Sequence, residues 1–317
     1  MKQILTRLVL TLPVVWLVVS LVFLLIHLVP GDPILQMLGD SATPADIDAL
    51  RHQNHLDLPL PEQYVSYWAG VLHGDLGTSI RLHDSVSHLI AMRYPYTLAL
   101  ALTALAIALA LALPAGILAA VRRGRWADQA LSLVSLFGLS VPGIALGPVL
   151  ILVFSILLGW LPVSGAHSGG ARAGIDWNYI DWHYLLLPSL AMGASLAAIL
   201  TRMVRTAMLE ELGQDYIRTA RAKGLSETAV VCRHALPNAL VPIVTVVGLQ
   251  FGALLAGAIV TEKIFSWPGL GRLVVDAISN RDYALVQGCL LSIGLTYVLV
   301  NLLTDVVYRV VNPRMRA

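Results

Sequence analysis

The sequence predicts an all-α polytopic membrane protein, and three observations carry that prediction. Of the 317 residues, 57 % are hydrophobic and only 13 % charged, whereas a soluble domain is about a quarter charged. Six apolar runs approach or exceed the roughly 20 residues that cross a bilayer core: Leu8–Val29, Thr97–Val121, Leu131–Leu158, Leu185–Met203, Val241–Thr261 and Gly288–Val307. Finally, the basic residues crowd into alternate connections. The N-terminus, the 122–128 loop, the 202–240 segment and the C-terminal tail hold 14 of the 21 Lys and Arg, leaving 7 elsewhere. By the positive-inside rule those connections face the cytoplasm, so six spans give cytoplasmic N- and C-termini.

The first run reads as a retained anchor over residues 1–29. Lys2 and Arg7 resemble the basic start of a signal peptide, but the apolar core is too long and ends in Val29-Pro30-Gly31-Asp32 without a small-x-small site. Residues 30–96 form the longest polar stretch, on the outer face. Within it Thr43-Pro44 has the pattern of an N-cap with proline at the first helical position, and Ile47, Leu50 and Leu56 follow at near-helical spacing. Tyr64, Tyr67, Trp68 and Val71 mark a second short amphipathic helix. The acids Asp32, Asp40, Asp46, Asp48, Asp57, Glu62, Asp75 and Asp84 make this segment negative, a surface suited to steering a basic partner.

Residues 97–310 hold the other five spans. The turn "VRRGRWAD" is short enough that the second and third spans must be antiparallel neighbours. Trp160, Trp177 and Trp182 in the next outer loop fit an interfacial belt. Between spans five and six, Leu270, Leu273, Val274, Ala277 and Ile278 form a stripe expected on a helix lying near the outer surface. The spans themselves contain no ionisable side chain deep in the apolar core, which a proton- or ion-coupled pump needs. Residues 311–317 are a cytoplasmic tail.

Enzymatic signatures are absent. The three lysines, Lys2, Lys223 and Lys263, do not follow glycine, so no phosphate-cradling Walker A loop exists, and neither H-E-x-x-H nor G-x-S-x-G occurs. His52 and His55 stand three apart beside Asp48 and Asp57, but ordinary hydration of a helix face explains them, and no metal site is expected. Cys232 and Cys289 fall in a cytoplasmic segment and in a span, so they are not expected to pair.

One connection is both basic and ordered. In "DYIRTARAKGLSETAVVCRHALPNALVP" (215–242), Asp215–Lys223 is a helix with Ile217 and Ala220 on one face. Gly224 suits the left-handed position that ends a helix, and Ser226 is placed to cap the next. Leu225 and Val230 are spaced for a hydrophobic staple, and Pro237 is expected to end the second helix before span five. A lipid-facing loop would account for the charge but not for a capped corner. A fixed knob is what a channel needs if a separate motor is to push it.

The same segment resembles the signature loop of ABC importer permeases, E-A-A, three residues, G, nine residues, I-x-L-P. Here Arg218-Thr219-Ala220, Gly224 and His234-Ala235-Leu236-Pro237 occupy that frame, with departures at Arg218, Thr219 and His234. Those departures, together with "HLVPGDP", "GDLGTS", "HALPNALVPIVTVVGLQ" and "FSWPGLGRLVVDAISNRDYALVQG", resemble the dipeptide/oligopeptide/nickel branch and its "B" permease. The resemblance implies a type I importer permease fold with an outer-face segment between helices 1 and 2. It also implies a second homologous permease, two cytosolic ATPases holding ATP and Mg, an extracytoplasmic binding protein, and no cofactor or nucleic acid on this chain. Residues 210–237 then form the coupling segment, with Tyr216, Arg218, Thr219, Ala220, Arg221, Lys223, Gly224, Leu225, Ser226 and Glu227 toward the ATPase and His234, Leu236 and Pro237 at its end. Di- or oligopeptides are the expected solute. Nickel or a nickel chelate, glutathione or an opine-like compound remain alternatives, and the path-lining residues stay open.

Overall fold

The computed structural model describes residues 2–28, 43–53, 57–166 and 180–311. Asp32 and Asp40 of the outer segment, His55, Leu56 and Trp177 lie outside them. The described chain is helical apart from one small hairpin. Helix α1 is Lys2–Leu28, α2 is Pro44–Gln53 and α3 is Leu60–His73. Strands β1 (Thr78–Ser79) and β2 (Asp84–Ser85) pair antiparallel. Then come α4 (Val86–Val121), α5 (Trp126–Ser140), α6 (Gly143–Leu157), α7 (Trp182–Leu212), α8 (Asp215–Ala222), α9 (Glu227–Ile264), α10 (Leu270–Ser279) and α11 (Tyr283–Val311).

Among the described residues, α4, α7, α9 and α11 are long and apolar enough to cross a membrane, and α5 with α6 makes a fifth crossing if the pair is one span. The apolar part of α1 that is described, Val9–Leu25, is shorter. Among the described residues the structure thus shows four such spans, or five with the bent pair, and not clearly the six expected. The bend corrects the reading of Leu131–Leu158 as a single run: α5 and α6 meet at 99°. Pro142 causes it, because proline has no N–H to give and pushes the residue before it out of helical geometry. Val141 is accordingly extended, at φ −80° and ψ 119°. After Pro148 the helix widens into a π-helical turn over Ile151–Leu157, a known relaxation near a helix-breaking residue.

Boundaries shift elsewhere. The second span starts at Val86 rather than Thr97, where the Ser85 hydroxyl accepts the His88 N–H at 3.1 Å. Its opening turns therefore belong to the stretch read as the outer segment. Pro237 does not end a helix: α9 runs on through it. A π-helical turn over Val230–Ala235 precedes the proline, with the Leu236 N–H bonded to the Val231 carbonyl, and this wider turn accommodates the ring that a regular helix would reject.

The most extensive helix contact is between α4 and α7. Its seam on α4 is Ala104, Ala108, Ala112, Gly116 and Ala120, four residues apart and buried. Small residues at this spacing let two helices in lipid approach closely enough for dispersion to hold them. A methyl on Gly116 would stand 2.6 Å from Val204 Cβ, and one on Gly193 of α7 would stand 2.8 Å from the Ala104 carbonyl. The face of α3 read from Tyr64, Tyr67, Trp68 and Val71 does not float as a free cap: Tyr67, Trp68 and Val71 pack on Val19, Val22 and Leu291. Tyr64 Oη lies 2.6 Å from Ser20 Oγ, and His27 Nε2 lies 3.1 Å from Gln63 Oε1. Burial pushes the Tyr67 phenol up to about 12.

Candidate functional site: the charged corner

The ends of α7 and α9 carry the corner the sequence singled out. Helix α8 opens at Asp215 and stops at Ala222, and Gly224 follows at φ +80°. The Gly224 N–H bonds the Arg221 carbonyl at 3.0 Å and the Leu225 N–H bonds the Ala220 carbonyl at 3.4 Å. That double closure is a Schellman motif, which needs a left-handed residue and therefore favours glycine. Ser226 Oγ then accepts the Ala229 N–H at 3.4 Å, as an N-cap should. The staple is not evident from burial: Val230 is fully buried but Leu225 remains 42 % exposed.

The corner has two sides. Ile217 and Ala220 enter a core with Val204, Ala207, Met208, Val230, Val231, Ala235 and Ala239. Ala220 is thus an anchor rather than a contact surface. Leu236 packs at the edge of this core, while Pro237 is exposed and His234 half-buried. Facing outward are Tyr216, Arg218, Thr219, Arg221, Lys223, Gly224, Leu225, Ser226 and Glu227. Arg221 grips Glu227 across the bend, with Nη2 to Oε1 at 2.6 Å and Nε to Oε2 at 3.1 Å. This pairing raises the Arg221 pKa above its already high value. Tyr216 donates to Glu211 Oε2 at 2.5 Å and accepts from Asn238 Nδ2 at 3.0 Å, tying α8 to both neighbouring helices. Arg218 has only a loose ion pair with Asp215, at 3.4 Å.

Two polar anchors escaped the sequence reading. At the corner's end of the bundle, Asp128 on α5 is buried and accepts Arg205 Nε at 2.6 Å, Arg205 Nη2 at 2.9 Å and the Gly124 N–H at 2.9 Å. At the other end, Glu262 is fully buried in α9. Thr97 Oγ1 donates to its Oε1 at 2.6 Å, the Arg272 N–H donates to its Oε2 at 2.9 Å, and the Leu270 N–H donates to Thr97 Oγ1 at 2.8 Å. Trp267 beside it is also fully buried, with Nε1 on the Tyr96 carbonyl at 2.9 Å. The reading of clean spans stopped one residue short of this glutamate. Helix α10 buries Leu270, Leu273, Val274 and Ala277 as its stripe requires, but Ile278 is 57 % exposed.

No group of three or more His, Cys, Asp or Glu side chains is placed to hold a metal among the described residues. His52 instead pairs with Asp57 at 2.8 Å.

This corner closes two membrane helices at one end of the bundle, and comparison with known proteins shows the family the chain falls in. Residues 112–317 match the binding-protein-dependent transport system inner membrane component, and residues 1–101 match the N-terminal component of such systems. The chain belongs to this family. It is a permease subunit of an ABC importer and not itself catalytic; ATP hydrolysis resides in partner subunits. It works with a second permease, with ATPase subunits and with an extracytoplasmic binding protein, in the inner membrane as a multi-pass protein. The glutathione transport system permease protein GsiC of Escherichia coli O6:H1 is 43 % identical over 316 residues, covering 100 % of this chain and 99 % of that protein. The proteins of the same name from Escherichia coli strain K12 and Shigella dysenteriae serotype 1 are equally similar. In fold, the chain resembles the inward-facing MetNI methionine ABC transporter, with a TM-score of 0.55 and 21 % identity over 71 % of this chain and 96 % of that one. The expected branch therefore stands, while its likeness to a dipeptide permease in particular gives way to the glutathione permeases.

Proposed function

We propose that this permease forms, with its homologous partner, the path for glutathione or a closely related short peptide delivered by the binding protein. The observation that carries this reading is the end-to-end 43 % identity to permeases named for glutathione. It favours what the sequence left as an alternative over unmodified di- or oligopeptides, and over nickel. In this reading six crossings, with α5 and α6 together making the third, leave both termini in the cytoplasm. The 14 to 7 division of Lys and Arg supports that orientation.

The corner around Gly224 is the coupling handle. Its inner face is bolted to α7 and α9, so a push on the outward residues Arg218, Thr219, Arg221, Lys223, Leu225, Ser226 and Glu227 moves the membrane helices as a unit. The full transporter in proteoliposomes tests the solute. ATP-dependent uptake of glutathione should exceed that of Gly-Leu and of Ni²⁺ by at least roughly tenfold, a difference of about 1.4 kcal/mol. Preferred uptake of the plain dipeptide would return the assignment to the dipeptide permeases.

A further inference from the structure

At the end of the bundle away from the corner, a cleft of about 300 Å³ is lined by Ile80, Arg81, His83, Asn280, Arg281 and Asp282. The first three come from the β1–β2 hairpin and the others from the bend between α10 and α11. The two pieces, 203 residues apart in sequence, are joined where the buried Ser79 hydroxyl donates to the buried Asp282 carboxylate at 2.5 Å. The second oxygen of Asp282 accepts the Leu285 N–H at 3.2 Å. The carboxylate is thereby held by the scaffold, and the cleft is otherwise lined by two guanidiniums, an imidazole, Ile80 and Asn280, whose Nδ2 donates to the Asp276 carbonyl at 2.8 Å.

Three features give this cleft the character of a binding site. Arg81 and Arg281 are exposed and, among the described residues, neither has an ion-pair partner. Among the described residues, three non-glycine residues have positive φ, His83 at 53°, Ser266 at 49° and Arg281 at 55°, and two of those three line this one cleft. At Arg281 this is the left-handed stop of α10, closed by the Arg281 N–H on the Ile278 carbonyl at 3.1 Å and the Asp282 N–H on the Ala277 carbonyl at 2.9 Å, which holds residue 281 at the cleft. The local charge also opposes its surroundings. The non-corner side of the chain has 7 basic and 13 acidic residues, a net of 7 − 13 = −6. Two cations without ion-pair partners on a braced scaffold give a locally positive site for an anion, against the field of the surrounding acids.

We propose that this cleft binds a free carboxylate of the arriving solute. Guanidinium forks match planar carboxylates with two parallel hydrogen bonds, and the volume lies at the small end of sites for small molecules. The choice of a peptide-class carboxylate rests on the function proposed above; the cationic cleft itself does not. Fixing a carboxylate at the rim orients the solute without gripping its remainder, which suits a station on a route rather than a final site.

The test uses the assembled transporter in nanodiscs carrying Ile80→Cys with Cys232→Ser; Cys289 is fully buried. The rate of maleimide attachment to this chain, read on a gel, reports occupancy of the cleft. S-methylglutathione and succinate should each slow attachment at saturation, whereas S-methylglutathione diethyl ester should not. Arg81→Gln and Arg281→Asn should each weaken the protection roughly tenfold or more, as loss of a charged hydrogen-bonding partner does. Asn tolerates the left-handed backbone at position 281, and Arg81→Lys should keep part of the effect. Equal protection by the ester, or full protection in both charge-removing variants, overturns the proposal. So does protection by the binding protein alone, which makes the cleft a protein-docking surface. If succinate protects in the arginine-dependent manner while glutathione is not transported, the cleft stands and the proposed solute falls.

Discussion

The two ends of α9 are both glycine bends, and they use glycine in opposite ways. At the corner, Gly224 has φ +80° and an added Cβ would meet nothing within 4 Å. Glycine is there for its backbone freedom alone. At the far end, Gly269 is extended and Gly271 is helical; a methyl on Gly269 would overlap the Glu262 carboxylate, and one on Gly271 would stand 2.5 Å from Ile259 Cα. Glycine is there to let backbone close over a buried acid. The ionic groups follow the same division. Arg221 and Glu227 pair in water on the first bend, whereas Glu262 is wrapped by Thr97, Arg272 and Trp267 at the second. One end is a surface held from behind, and the other is a rivet joining α4, α9 and α10.

The rivet predicts the largest effects. Glu262→Ala removes the acceptor for Thr97 and for the Arg272 N–H and opens a cavity, each orphaned buried donor costing roughly 1–3 kcal/mol. Gly269→Val should be comparably damaging through overlap. Thermal unfolding of the detergent-solubilised transporter should show both variants melting far below Gly224→Ala. Should Gly224→Ala prove the most damaging of the three, the division between a steric and a conformational bend is wrong.

A second comparison sharpens the first, because the corner's end has a rivet of its own. Arg205→Ala leaves the buried Asp128 carboxylate with the Gly124 N–H and the Ser132 hydroxyl. Breaking a buried pair costs about 3–5 kcal/mol, and less is expected here since the Arg205 side chain is 30 % exposed. Asp128→Asn/Arg205→Gln should recover part of the loss by restoring a neutral pair. Melting temperatures of the two single variants and of the double variant would show the coupling directly; strictly additive losses would mean the bidentate contact adds nothing.

The charged bend was legible in the sequence because its signals are local. Asp215 to Ser226 contains a helix start, a left-handed glycine and a cap within one short stretch, each decided by its neighbours. The rivets were illegible for the converse reason. Thr97 and Glu262 are 165 residues apart, Asp128 and Arg205 are 77 apart, and Ser79 and Asp282 are 203 apart. Hydropathy also misled where it overrode stereochemistry. Pro142 breaks a run that reads as continuously apolar, while Pro237, which reads as a stop, is absorbed by a π-helical turn. Long apolar helices were found in substance, but their ends followed caps such as Ser85 and Asp181 rather than the limits of the apolar run.

Gly224 itself should give an intermediate effect on stability and a larger one on coupling. A non-glycine residue in the left-handed region costs roughly 1–2 kcal/mol, and space around the position is free, so Gly224→Ala should assemble with a modest loss. Gly224→Asp adds charge on the outward ridge and should lower uptake per ATP hydrolysed beyond what Gly224→Ala does. Uptake and hydrolysis measured at matched permease content decide this; equal ratios in wild type and both variants would leave the ridge as an inert, lipid-facing turn.

The smallest expected change in stability comes from Arg221→Ala. Its bond to Glu227 is bidentate, but both side chains are about half exposed, at 42 % and 53 %. Water and salt screen such a pair, and exposed ion pairs typically contribute about 0.2–1 kcal/mol. The bend is already closed by backbone hydrogen bonds from Gly224 and Leu225 and by the buried Ile217 and Ala220, none of which needs the guanidinium. Melting should therefore barely move, and raising the salt to 1 M should erase what difference exists. Coupling is a separate matter, because Arg221 and Glu227 present their charges at the ridge where an ATPase subunit is proposed to press. Loss of coupling with unchanged melting would mark the pair as part of that contact surface. A melting loss as deep as that of Glu262→Ala would show that the bend is a rivet after all, and the contrast between the two ends of α9 would fail.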